Sequence, residues 1–230
     1  MESILILHGW GSCAKNWSRV KELLEKEGIK VFIPDLPGFG DNPPLEKPWS
    51  IDDYANWVHD FCTKQSIRQF VLTGHSFGGS IAVKYSLKFP ENIKKLILVS
   101  PAIIRVRRDL LEKLARILKV FSFLPFYNLA RRAFYKFIVG KSDYLDTMGA
   151  TRETYLKAIT EDLSAHLGLV SVPTLLIWGE KDEHTSFKDS LLIKTKISGA
   201  VLEPIPGVKH SPHREAPEIL SEKIIQFITN

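Results

Sequence analysis

Residues 71–80 read VLTGHSFGGS, with Ser76 set in a G-x-S-x-G frame directly after the apolar run FVLTG (70–74). Glycine and serine are common turn formers, so the pattern alone is compatible with an ordinary bend. Its setting says more. A branched, apolar run before it reads as a buried strand, and FGGSIAVKYSLKF after it reads as a helix. A serine on a sharp strand-to-helix turn is the arrangement that presents a hydroxyl above the edge of a sheet, with Gly74 and Gly78 removing Cβ atoms where strand and helix crowd.

Outward from this stretch the same alternation repeats. Short apolar runs fall at 4–7, 30–34, 70–74, 95–100, 174–179 and 200–205, each bounded by Gly, Pro or charge. Between them, residues 15–27, 51–64, 77–89, 186–197 and 215–228 carry helical periodicity, and Ser50 with Asp53 predicts a capping box on the second helix. Alternating strands and helices predict an α/β fold with a mostly parallel sheet covered on both faces. The rhythm breaks between LVSPA and SVPTLLIWG. There Leu110, Leu111, Leu114, Ile117, Leu118 and Phe121 recur at helical spacing, and a dense aromatic cluster surrounds Pro125. The expected organisation is one domain, 1–230, with a helical insertion over about 103–170.

The bulk numbers narrow the class. At 230 residues, 44% apolar and 25% charged, the chain has a globular composition, and no run approaches the roughly 18 apolar residues of a membrane span. The opening MESILILHGWG has no basic leader, and the two cysteines, Cys13 and Cys62, give no disulfide framework, so a reducing cytoplasm is expected. The net charge of +5 is concentrated in RVRRDLLEKLARILK and ARRAFYKF. Without zinc-finger or RNP-like spacing it does not point to nucleic acid, and a basic helix face is ordinarily just solvated.

A serine nucleophile needs a base, an acid to orient that base, and donors for the oxyanion. HGWG (8–11), at the end of the first strand, offers the N–H of Trp10, and the residue after the serine offers the N–H of Phe77. His8 reads as a structural hydrogen-bonding residue. IPGVKHSPHREAPE offers two candidate bases, His210 and His213, in the loop after the last strand. LLIWGEKDEHTS offers Asp182, Glu180 and Glu183 as candidate acids at a strand end. No cluster of ligating residues suggests a metal, and the chemistry calls for no organic cofactor.

Taken in order, HGWG, PDLPGFGDN, GHSFGG, LLIWGEKDEHT and PGVKHSPHREAPE resemble the α/β-hydrolase superfamily, near its lid-bearing serine esterases and acyl hydrolases, over nearly the whole chain. The resemblance implies a Ser76–Asp182–His210 triad. His210 stands a few residues before Glu215-Ala216-Pro217, and Asp182 stands three after Gly179. It implies structural roles for Asp35, Gly38 and Gly40, and a sheet of about six strands that lacks the family's first, N-terminal edge strands. It also implies attack on an acyl carbon. The expected substrate is a small-molecule ester of a short to medium acyl chain, sized by the insertion. Haloalkane dehalogenases and epoxide hydrolases, which resemble this fold, carry aspartate at the serine's place. Three alternatives stay open: C–C hydrolysis of ring-fission products, a methyl ester esterase meeting an acidic carrier protein through Arg105, Arg107, Arg108, Arg131 and Arg132, and a non-catalytic binder.

Overall fold

The computed structural model describes residues 2–104 and 149–230. Six strands form one sheet: β1 (Ser3–Leu7), β2 (Lys30–Phe32), β3 (Phe70–His75), β4 (Ile93–Val99), β5 (Thr174–Gly179) and β6 (Val201–Ile205). Their order is β2-β1-β3-β4-β5-β6, and all five pairings are parallel. Parallel neighbours force each connection to cross a face of the sheet, so the covering helices follow from the pairing. These are α1 (Ser18–Lys26), α2 (Ile51–Lys64), α3 (Phe77–Lys88), α4 (Gly149–Thr160), α5 (Phe187–Lys196), α6 (Pro212–Glu215) and α7 (Pro217–Thr229).

Strand periodicity divides the core into two layers. Along β1, Ile4 and Ile6 pack with Val20 and Leu24 of α1 and with Leu220 and Ile224 of α7. Leu5 and Leu7 face the other way, into a layer that also holds Tyr54 and Val58 of α2, Ile81 of α3 and Ile193 of α5. All of these are essentially sealed from solvent, each side chain contributing about 1.5–3 kcal/mol of burial. β3 is buried along its whole length, as a strand flanked on both sides and covered on both faces must be.

The chain supports its helices locally. Ser50 Oγ accepts from Asp53 N–H while the Asp53 carboxylate accepts from Ser50 N–H, so the expected capping box closes. Three predicted boundaries differ. The first helix opens as a 3-10 turn (Ala14–Trp17) before α1, a usual tightening at a helix start. The last divides into α6 and α7 at Ala216 (φ −148°, ψ 58°), because the residue before Pro217 is driven out of the helical region. β2 stops at Phe32, short of Pro34, which has no N–H for a ladder.

Ile103 O accepts from Leu163 N–H at 3.3 Å, which joins two positions within the range expected for the insertion. Thr154 of α4 accepts from Trp49 N–H, and Lys84 of α3 pairs with Glu161 at 2.7 Å. The expected helix over 110–121, the aromatic cluster around Pro125 and the arginines Arg105, Arg107, Arg108, Arg131 and Arg132 lie outside the described residues. No helix among the described residues is long and apolar enough to cross a membrane.

Candidate active site

β3 passes into α3 with no intervening loop, and Ser76 absorbs the whole turn at φ 51°, ψ −114°. That backbone region is nearly closed to residues bearing a Cβ, so the bend stores strain of about 1–3 kcal/mol. The surroundings hold it in place. Ser76 N–H donates to Val99 O at 3.1 Å, and Ser76 O accepts from Ala102 N–H at 3.0 Å. A Cβ on Gly74 would overlap the Gly78 carbonyl, and one on Gly78 would overlap the carbonyl of Leu7, so strand, helix and β1 meet backbone to backbone.

His210 sits in the loop between β6 and α6. Its Nε2 lies 3.0 Å from Ser76 Oγ, and its Nδ1 lies 2.8 Å from Asp182 Oδ2. Asp182 follows β5 and is itself buried, accepting His184 N–H at 2.8 Å and Thr185 N–H at 3.0 Å on Oδ1. Thr185 Oγ1 donates to Oδ2 at 2.8 Å. Burial alone would push this carboxyl up. Hydrogen bonds from His210 and Thr185, with the charge His210 carries when protonated, overcome it and hold the carboxyl at about 2. Its ionised state orients Nδ1–H and leaves the Nε2 lone pair facing Ser76.

Of the candidate acids, only Asp182 meets the imidazole; Glu180 and Glu183 are exposed. Of the two candidate bases, His210 reaches Ser76. His213 is buried and stacked flat on Trp17, with ring centroids 4.4 Å apart, and burial pushes it down to about 3. His8 takes Leu36 N–H on Nε2 at 2.9 Å and bonds Gly9 O through Nδ1, which holds the turn after β1. That turn abuts the serine: a Cβ on Gly9 would lie 3.3 Å from Ser76 Cβ. Among the described residues, no hydrogen bond engages the N–H of Trp10 or of Phe77. Phe77 N–H also opens α3, where the helix dipole favours negative charge. Asp35 accepts Ala14 N–H and Asp41 N–H, closing the neighbouring PDLPGFGDN turn.

The side chains of both turns form an aromatic wall. Trp10 meets Phe39, Phe77 and Tyr155 of α4 edge-on, at 4.8, 5.2 and 5.0 Å between ring centroids. Two residues here, Thr185 and Tyr155, had no signal in the sequence, and Glu215 was legible only as part of the element that marks His210. Thr185 is an ordinary loop threonine until the fold aims its hydroxyl at Asp182. Glu215 accepts Lys209 N–H at 2.9 Å and Ser211 N–H at 3.0 Å, clamping the main chain on either side of His210. Tyr155 comes from a stretch 78 residues beyond Phe77, and the packing of α4, tied down at Thr154 by Trp49, brings it near. Among the described residues, no group of three or more ligating side chains could hold a metal.

Residues 2–124 match the family model described as alpha/beta hydrolase fold. A Mycoplasma genitalium protein bearing an esterase/lipase name is 29% identical over 98% of this chain and 88% of its own length. Lipase 3 of Moraxella sp. is 28% identical over 94% of this chain and 73% of its own. Among solved structures, an esterase from Exiguobacterium antarcticum superposes with a TM-score of 0.78 at 22% identity, over 100% of this chain and 92% of that one.

Proposed function

The chain belongs to the α/β-hydrolase fold family, and on that premise we propose that it is a serine hydrolase cleaving carboxylic esters of short to medium acyl chains through an acyl-enzyme. The observation that carries the reading is the unbroken relay from Ser76 Oγ through both nitrogens of His210 to buried Asp182, at 3.0 and 2.8 Å.

In this reading Ser76 Oγ attacks the acyl carbon while its proton passes to His210 Nε2. Asp182 keeps Nδ1–H in place and stabilises the imidazolium without taking the proton. The N–H groups of Trp10 and Phe77 receive the oxyanion, and one such donor is worth about 10²–10³ in turnover. Collapse expels the alcohol oxygen, which takes the proton back from Nε2. Water, deprotonated by the same nitrogen, then attacks the acyl-serine, and Ser76 Oγ leaves with the proton from Nε2 as the acid is released. The wall of Trp10, Phe39, Phe77 and Tyr155 supports an apolar group on the substrate. The insertion, 103–170, is the element we assign to limiting that group's length. Esterase and lipase names among the relatives favour an ester over other acyl compounds.

The test is hydrolysis of p-nitrophenyl esters from acetate to laurate by the wild-type protein and Ser76→Ala. Turnover that falls by about 10⁴-fold or more in the variant supports the mechanism, and the preferred chain length sizes the pocket. Equal rates in the two proteins overturn it. Folded wild-type protein that cleaves none of the series overturns the ester reading and makes ring-fission diketones the next substrates.

A further inference from the structure

The relay uses one of the chain's seven histidines and leaves another beside it unexplained. His75 ends β3, immediately before Ser76, and is only 4% exposed. Its Nε2 lies 2.8 Å from the main-chain carbonyl oxygen of His210, across 135 positions of sequence. A carbonyl only accepts, so Nε2 must carry the hydrogen. Nδ1 is then a bare lone pair, buried and without a partner among the described residues. It faces Gly9, where an added Cβ would lie 3.0 Å away, and the ring as a whole packs against His213 and Trp17, at 4.6 and 6.1 Å between ring centroids. Burial, and then the neighbouring His213 and His210, push His75 well below its ordinary value, so the ring is neutral and its tautomer fixed.

The main chain at His210 is therefore gripped at three successive residues. Glu215 takes the N–H of Lys209 and of Ser211, and His75 holds the carbonyl of His210 itself. Glu215 is exposed, and its carboxylate competes with water; the bond from His75 is the one set inside the protein. It also joins the strand that carries the nucleophile to the loop that carries the base.

We propose that His75 is a positioning residue for the general base: its Nε2–H fixes the main chain of His210, so that the imidazole meets Ser76 Oγ in line. The proposal rests on the reading of His210 as the base. A side chain that merely filled space here would be replaceable by any of similar volume, whereas a positioning donor is replaceable only by another donor.

The experiment compares wild type, Ser76→Ala, His75→Met and His75→Gln on the best p-nitrophenyl ester, with functional sites counted by fluorophosphonate labelling to its end point. Methionine fills the space without a donor; the glutamine amide places an N–H near the position of Nε2. A displacement of about 1 Å at a reacting group costs about 10²-fold, so His75→Met should lose about 10- to 100-fold in kcat with KM held within about twofold. His75→Gln should recover most of the loss. Turnover lost in Ser76→Ala but kept per site in His75→Met overturns the positioning role and leaves the mechanism standing. Turnover that survives Ser76→Ala overturns the mechanism beneath it. Should His75→Met fail to fold, two-bond ¹⁵N–¹H correlation of histidine-labelled wild type decides, with His75→Gln assigning the signal. The Nε2–H tautomer, unchanged across about pH 5 to 8, is expected; the Nδ1–H tautomer or a charged ring overturns the proposal.

Discussion

Replacing Asp182 with asparagine alters one atom of the site and reverses the proton on His210. In the native chain Oδ1 takes the N–H groups of His184 and Thr185, and Oδ2 takes Thr185 Oγ1 and His210 Nδ1. An asparagine keeps its carbonyl where the two main-chain donors converge, which leaves its NH₂ facing the other two partners. The Thr185 hydroxyl can rotate and accept. His210 Nδ1 can accept only by giving up its hydrogen, which moves to Nε2 and points at Ser76 Oγ, 3.0 Å away. An Nε2 that bears hydrogen has no lone pair for the serine proton. The loss of kcat/KM expected from that tautomer is about 10⁴-fold, or about 5 kcal/mol of transition-state stabilisation. The assay is hydrolysis of the preferred p-nitrophenyl ester near neutral pH by wild type and Asp182→Asn, with circular dichroism to confirm that both are folded. A folded variant retaining more than about a tenth of wild-type kcat/KM refutes the claim that this carboxylate sets the tautomer.

The same carboxyl should shape acid stability. It is held at about 2 in the folded chain against an ordinary 3.8, so its ionised form favours folding by about 2 kcal/mol above about pH 4. That contribution is lost as pH falls from about 4 to about 2; urea unfolding of wild type and Asp182→Asn should converge over this window, and a gap that stays constant contradicts the assignment. Thr185→Val keeps the shape but deletes a hydroxyl donor to a charged oxygen, and should lower kcat/KM about tenfold with little change in KM; wild-type kinetics would leave Thr185 no part in orienting Asp182. Ser76→Gly should melt above Ser76→Ala, since relief of the positive-φ strain outweighs glycine's extra freedom in the unfolded chain by about 1 kcal/mol. Equal melting temperatures would mean that the elbow is not strained.

The order of strands and helices could be read before any coordinates, because buried parallel strands announce themselves as short branched runs between helical periods. Ser76, Asp182 and His210 were readable as candidates, each standing in a motif at the end of a strand. Sequence pattern alone left His210 against His213 and Asp182 against two glutamates; the choice came from the resemblance, and the geometry brings the chosen pair together. His75 and Thr185 escaped for a different reason. Their partners lie 135 and 3 positions away, and neither spacing is a signal without the loop conformations that turn a ring or a hydroxyl toward its acceptor. The helix break at Ala216 was foreshadowed by Pro217, while the separate short turn Pro212–Glu215 before it carried too few residues to show a period.

One contact bears on how this site tolerates change. A Cβ at Gly179 would overlap the carbonyls of Lys209 and Val208, as one at Gly78 would overlap that of Leu7. Where main chain lies directly on main chain there is no side chain to re-pack, so the approach of the strand ends that carry Ser76, Asp182 and His210 is set by peptide groups, with His75 and Glu215 fixing the loop of the base. Substitutions elsewhere in the two core layers can then accumulate, in any lineage that keeps these glycines and the side chains that hold the His210 loop, without altering the reach of the base. Drift in the wall of Trp10, Phe39 and Tyr155 would change what is cleaved well before it changed how.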